Sequence, residues 1–322
     1  SILDITLTAR NRGFASEAPM CGVPHHAVEG YIAKLLERGY KVALCDQVED
    51  PKQAKGLVKR EVTRVITPGT LSDPLLLEGR ESNLLAGVEW SGDEGAGAFL
   101  EISTGAFFVT RWPSIDEALD ELRLFEPKEI VVRDEALLER LNGWAEGREV
   151  CLTALGEERS VTGAAASEVL ESQFGVASLR GFGLQGTEPA TVAAANTLAY
   201  ALDTQRSDLE HVVDLRVRPA ARGLVLDATT LANLEVFRNA RDGGRKGTLL
   251  SILDRTRTAA GGRLLKAWLR EPLRDVVAIE SRLDAVGELV EGIERRRALV
   301  DRLQRVGDVE RLLARAVLGS LS

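Results

Sequence analysis

Three apolar runs of strand length follow one another almost without a break: Asn83–Trp90, Ala96–Ser103 and Ala106–Trp112. Ser91-Gly-Asp-Glu-Gly95 separates the first two and Thr104-Gly105 the next pair. Connections this short join only antiparallel neighbours, because a parallel return needs a crossover of a dozen or more residues. A β-meander is therefore expected at the centre of the chain. Downstream the pattern alternates, with a helix at Ser114–Phe125, a strand at Lys128–Val132, a helix at Asp134–Leu141 and a strand near Glu149–Thr153. Helices at Val161–Gln173 and Thr191–Asp203 follow.

A meander followed by alternating α and β segments resembles the ribonuclease-H-like arrangement. Upstream lies a smaller αβ pattern. Pro24 leads into a helix over His26–Arg38, stopped by Gly39, and Lys41–Gln47 and Val58–Thr67 read as strands, the second closed by the Pro68-Gly69 turn. Leu71–Arg80, with Pro74, reads as a linker. From Asp227 onward the chain reads as helix throughout. Asp227 caps Ala228–Arg238, Gly243-Gly244 breaks that run, Thr248 and Thr258 open two further helices, and long helices occupy Val276–Glu291, Ile293–Val306 and Val309–Leu318. The expected fold class is a multidomain α/β protein with an all-α part. A small αβ domain spans 1–71, a ribonuclease-H-like domain 72–212 and a helical domain 213–322. The chain opens in mid-pattern without a start methionine and closes on amphipathic helices, so both end domains are expected to be incomplete.

The net charge of −8 conceals a division. Residues 1–72 carry 10 Lys+Arg against 8 Asp+Glu, residues 73–212 carry 10 against 26, and residues 213–322 carry 21 against 15. The acidic middle repels a polyanion, whereas the two ends tolerate or attract one. No apolar run approaches the roughly 18 residues of a membrane span. Cys21, Cys45 and Cys151 form an odd set without CxxC spacing, the pattern of a reducing cytoplasm.

Among candidate sites, Lys59, Arg60 and Arg64 lie within six residues of one another on and beside a strand. A solvated strand face and a set of phosphate contacts both fit them, and composition does not decide. Cys21, His25, His26 and Cys45 lack the two tight ligand pairs of a zinc site, and Cys45 alternates with Val42 and Leu44 as core packing would. Glu89, Glu101 and Glu121 would be the carboxylates of a metal-dependent nuclease on the central domain, in a segment where acidic residues are everywhere. Gly243-Gly-Arg-Lys-Gly-Thr248 misses the GxxxxGK[ST] spacing of a phosphate loop, and no GxSxG elbow accompanies His25, His26 and His211. Gly261-Gly-Arg-Leu-Leu-Lys-Ala-Trp-Leu-Arg270 reads as a helix-packing element.

Seven stretches together resemble the bacterial MutS family of DNA mismatch recognition proteins: Met20–Tyr31, Cys45–Asp50, Glu61–Thr70, Asp203–Arg206, Asp227–Glu235, Gly261–Leu269 and Val306–Arg315. The resemblance implies a mismatch-recognition domain, a ribonuclease-H-like connector and the start of a helical core (lever) domain. It also implies mispaired double-stranded DNA and MutL as partners, no membrane, and a parent that is a homodimer and an ATPase using ATP and Mg. No cofactor and no catalytic residue are expected within this chain. His25, His26, Lys59, Arg60 and Arg64 are the expected DNA contacts. The family's Phe-x-Glu wedge is not matched, since Phe14 is followed by Ala15 and Ser16. Without an aromatic wedge to kink a flexible mispaired step, discrimination is expected to be largely lost. A nuclease and a protein-only architectural adapter stand as the alternatives.

Overall fold

The computed structural model describes every residue except 1, 12, 15, 16, 50–57, 74, 75, 219–223, 225 and 320–322, and the side chain of His25. Pro74 of the expected linker and the Ala15-Ser16 pair beside Phe14 thus lie outside the described residues. The architecture is mixed α/β followed by helices, as the sequence pattern predicts.

The meander forms with tight turns. Strands β5 (Leu85–Ser91), β6 (Glu94–Glu101) and β7 (Ala106–Trp112) pair antiparallel, with Ser91 opposite Glu94 and Glu101 opposite Ala106. Gly105 at the second turn has φ +76°, and a Cβ there would lie 2.5 Å from the His211 carbonyl, so both backbone and space require glycine. Strand β8 (Glu129–Val132) runs parallel to β5, and β9 (Cys151–Ala154) parallel to β8. A two-residue strand β10 (Arg216–Val217) adds parallel to β7, giving the order β10-β7-β6-β5-β8-β9.

Strand alternation sorts the side chains onto two faces. On one, Ala86, Val88, Phe99, Trp112, Ile130 and Val132 pack under α2 (Ile115–Phe125) and α3 (Glu135–Ala145). On the other, Leu85, Ala96, Ala98, Leu100 and Val131 meet α4 (Gly163–Phe174) and α5 (Pro189–Gln205). Small side chains on both partners, Ala96 and Ala98 against Ala193, Ala194 and Ala195, let α5 lie close to the strands. Polar groups carried inward by α5 are satisfied: Asn196 donates to the carbonyl of Val161 and accepts from its N–H.

The small αβ unit has a hairpin of β1 (Thr8–Arg10) and β2 (Ala18–Met20), a short 3-10 turn at His25–Ala27, helix α1 (Val28–Leu36), and a second hairpin of β3 (Val42–Gln47) and β4 (Arg60–Ile66). Its core is small, with Ile32, Leu36, Ile66 and Leu71 buried. In the helical region, Asp227, Thr248 and Thr258 cap α6 (Ala228–Asn233), α7 (Leu249–Leu253) and α8 (Ala259–Arg270). Helix α6 stops well before the Gly243-Gly244 break, because Glu235 enters the left-handed region at φ +49° and Val236 donates back to the Leu231 carbonyl. Helices α9 (Val276–Glu291), α10 (Ile293–Leu303) and α11 (Val309–Val317) complete the order, and neither α9 nor α10 buries a described residue.

Candidate nucleic-acid interface and its junctions

The basic edge stands at the loop end of the β3–β4 hairpin. Arg60 is exposed opposite Gln47, and exposed Lys59 pairs with Glu61 at 2.5 Å while its N–H donates to Glu49 Oε2 at 3.1 Å. The register shifts between Leu44 and Cys45, leaving Thr63 as an extra residue bound to Asp46 Oδ2 at 2.5 Å. This bulge separates Arg60 from Arg64. Arg64 turns the other way: its Nη2 donates to Ser72 Oγ at 2.7 Å and its Nε is buried without a hydrogen bond. Burial pushes its pKa below the usual guanidinium value, with Asp73 opposing. His26 is exposed on the 3-10 turn, apart in sequence from the Lys59–Arg60 edge. The structure thus brings Lys59 and Arg60 together at the surface and assigns Arg64 to the junction behind them.

That junction is polar and buried. Glu129, at the head of β8, is fully buried. Its Oε2 accepts from Thr67 Oγ1 and from the Gly69 N–H at 3.1 Å; its Oε1 accepts from Thr153 Oγ1 at 2.6 Å and the Tyr200 hydroxyl at 2.7 Å. Lys41 Nζ approaches Oε1 at 3.3 Å and also donates to Thr153 and Tyr200. Burial first, and the Glu129 charge second, push the Tyr200 hydroxyl pKa far up, so it stays a donor. Gln205 Nε2 donates to the Thr70 carbonyl at 2.8 Å, extending the seam along α5.

A second junction attaches the helices. Arg311, 2% exposed, donates to the carbonyls of Glu78 at 3.1 Å and Glu81 at 2.6 Å, and to Glu101 Oε1 at 3.2 Å. Arg263 holds the Gly79 carbonyl at 2.7 Å, both oxygens of Asp308 and one of Glu310. Arg80 reaches back to Asp254 and the Thr256 carbonyl at 2.9 Å each, and Glu81 pairs with both Arg245 and Lys266. The segment 78–81 is gripped on both sides by charged groups of α8 and α11.

Sequence reasoning singled out none of Lys41, Glu129, Arg263 and Arg311. One signal was available: Glu129 precedes the apolar run Ile130-Val-Val132, and a carboxylate on a strand buried on both faces requires partners. The acids it did single out are occupied internally. Glu89 holds Arg133 through two bonds at 2.8 and 3.3 Å. Glu101 holds Arg311 and Ser103, and Glu121 holds Trp112 Nε1 and Arg218. Among the described residues no group of three or more His, Cys, Asp or Glu side chains could hold a metal ion. The loop at 239–246 closes on itself. The N–H groups of Arg241 and Asp242 donate to Asn239 Oδ1, that of Gly243 to the Asn239 carbonyl, and that of Gly244 to Asp242 Oδ1. None of these amides is left for a phosphate. No described helix is long and apolar enough to cross a membrane.

A small unit with a basic edge is seated through a buried carboxylate on a helix-covered mixed sheet, to which arginines clamp a helical region. Comparison with known families matches MutS domain I to residues 1–74, MutS domain II to 83–213 and MutS domain III to 229–322. The chain belongs to the MutS family. It is 44% identical over 323 residues to the DNA mismatch repair protein MutS of Symbiobacterium thermophilum, covering 99% of this chain and 37% of that protein. The corresponding protein of Myxococcus xanthus is 44% identical over 327 residues, at 99% and 36% coverage. That of Halothermothrix orenii is 41% identical over 320 residues, also at 99% and 36%. The chain therefore spans little more than a third of the length of these relatives.

Proposed function

We propose that this chain is the recognition, connector and partial core part of a DNA mismatch repair protein, and that it contacts duplex DNA through the edge at Lys59 and Arg60. The carrying observation is the exposed basic edge on the unit matched to MutS domain I, set beside a central unit whose charge excludes it as a duplex surface. His26 is a further contact candidate, as is His25; Arg64 acts from behind the edge. The domains are read as 1–71, 72–212 and 213–322. The strand order β7-β6-β5-β8-β9, a meander continued by parallel strands, supports a ribonuclease-H-like connector, and the helices from α6 onward support the start of a lever. ATP and Mg chemistry, homodimer contacts and cytoplasmic residence belong to this reading of the whole protein.

Breaking the exposed Lys59–Glu61 pair to free the ammonium costs at most about 1 kcal/mol, so the pair does not oppose phosphate binding. Each phosphate contact adds about −0.9 to the slope of log affinity against log salt. The double substitution K59A/R60A is expected to flatten that slope by about two, read by fluorescence anisotropy of a labelled duplex over a salt series. An unchanged slope would remove both residues from the site. Matched and G·T duplexes are expected to bind this chain almost equally. MutL docking is assigned to the connector. Retention of MutL by the immobilised chain supports that assignment, and complete lack of retention counts against it.

A further inference from the structure

The carboxylate of Glu129 is a staple with two faces. Oε2 takes only groups of the Thr67-Pro-Gly-Thr70 turn, from the small αβ unit: the Thr67 hydroxyl and the Gly69 N–H at 3.1 Å. Oε1 takes the sheet unit's Thr153 and Tyr200 hydroxyls at 2.6 and 2.7 Å, with Lys41 Nζ bridging back to the small unit at 3.3 Å. An ionised carboxylate offers about four lone-pair sites, so these donors saturate it. Gly69 completes the fit, since a Cβ there would meet the Glu129 Cβ at 2.6 Å.

We propose that Glu129 is a positioning residue for duplex binding: it holds the small αβ unit at one orientation on the acidic sheet unit while the Lys59–Arg60 edge stays exposed. The inference rests on the duplex-binding reading above. The physical reason is preorganisation. A unit free to swing on the linker would pay an ordering cost at each binding event, and would present the bound phosphates to a segment carrying 26 acidic against 10 basic residues. A fixed joint removes both penalties. Glutamine cannot replace the carboxylate, because its amide nitrogen cannot accept from the donors on the face it occupies.

The test uses the full chain, a short fluorescein-labelled duplex with one G·T pair at low salt, and the variants Glu129→Gln and Gly69→Ala. Gly69→Ala changes no residue of the sheet unit and keeps the Glu129 carboxylate. Its Cβ would crowd Glu129 Cβ at 2.6 Å and Leu85 Cδ1 at 3.1 Å from the small unit's side of the joint. It therefore decides the matter even if Glu129→Gln folds poorly. Hydrogen exchange across residues 67–72 reports the joint. Near-UV circular dichroism reports mainly the folded sheet unit, which holds Trp90, Trp112 and Trp144, while Trp268 lies on α8 and no tryptophan lies in the small unit. Both variants are expected to speed exchange at least about tenfold and to weaken duplex binding by about tenfold, with the dichroism and the salt slope retained. Unchanged exchange overturns the proposal, as does faster exchange with unchanged affinity. If the unsubstituted chain fails to retain duplex at low salt, the duplex-binding reading falls and the positioning role with it, while the exchange arm still shows whether the joint exists.

Discussion

Substituting Arg311 by methionine is expected to release the helical region from the sheet unit and to cost about 3–5 kcal/mol, the usual penalty for removing one partner of a buried ion pair. This one guanidinium donates to three acceptors, the Glu78 and Glu81 carbonyls and Glu101 Oε1, of which the Glu78 carbonyl also accepts from the Glu81 N–H at 3.0 Å. Glu101 is 4% exposed and would keep only the Ser103 hydroxyl at 3.1 Å and the Asn83 N–H at 3.4 Å. Methionine fills the space but satisfies none of the three. Lysine should recover little, because a single ammonium on a flexible stem lacks the planar fork that spans two carbonyls and a carboxylate. The double variant R311M/E101Q should be more stable than the sum of the single losses predicts, since removing both charges leaves no ion stranded. Urea unfolding gives the free energies, and hydrogen exchange over 76–83 and α11 locates the change. An unchanged midpoint with unchanged exchange would mean that α11 is held by something other than Arg311.

The contrast between Glu101 and Glu129 shows where sequence reading reaches and where it stops. Local signals carried well. The two short turns of the meander, the side-chain caps at Asp227, Thr248 and Thr258, and the helix Val276–Glu291 all stand where turn chemistry and periodicity put them. Elements too short to show a period did not register: β1 and β2 have three residues each and β10 has two. The early stop of α6 escaped because it depends on a left-handed Glu235, a residue type that gives no such warning. The deeper gap concerns carboxylates. One-dimensional reading saw a crowd of acids and chose three, Glu89 and Glu101 on strands and Glu121 on a helix. What distinguishes Glu129 is a set of donors from Lys41, Thr67, Gly69, Thr153 and Tyr200, which only the folded chain assembles. The same holds for Arg64, which reads as one of three equivalent basic residues until the Thr63 bulge and the Ser72 contact turn it inward.

The second large effect is expected at Phe125, where aromatic packing and the attachment of the helices share one ring. On the sheet side it lies 5.1 Å from both Phe99 and Phe108. On the other side two guanidinium groups face it, Arg218 at 4.7 Å and Arg270 at 5.1 Å from the centroid. Arg218 is anchored by Glu121 and Glu271, whereas the Nε of Arg270 is buried with no hydrogen-bond partner. Burial, aided by the Arg218 charge and opposed by Glu126, lowers the Arg270 pKa to about 10. Arg270 therefore depends on the negative faces of Phe125 and Phe237, the latter at 5.9 Å. Phe125→Ala should cost about 3–5 kcal/mol through the cavity alone. Phe125→Leu keeps most of the volume and isolates the ring: losing two aromatic pairs of about 0.5–1.5 kcal/mol each and two cation–π contacts of similar size predicts a loss of at least about 2 kcal/mol. If the ring carries Arg270, then Arg270→Met should cost far less on the Phe125→Leu background than alone, because the guanidinium has already lost its main partner. Strict additivity of the two substitutions in urea unfolding would show that Phe125 acts only as core volume, and that Phe237 holds Arg270 unaided.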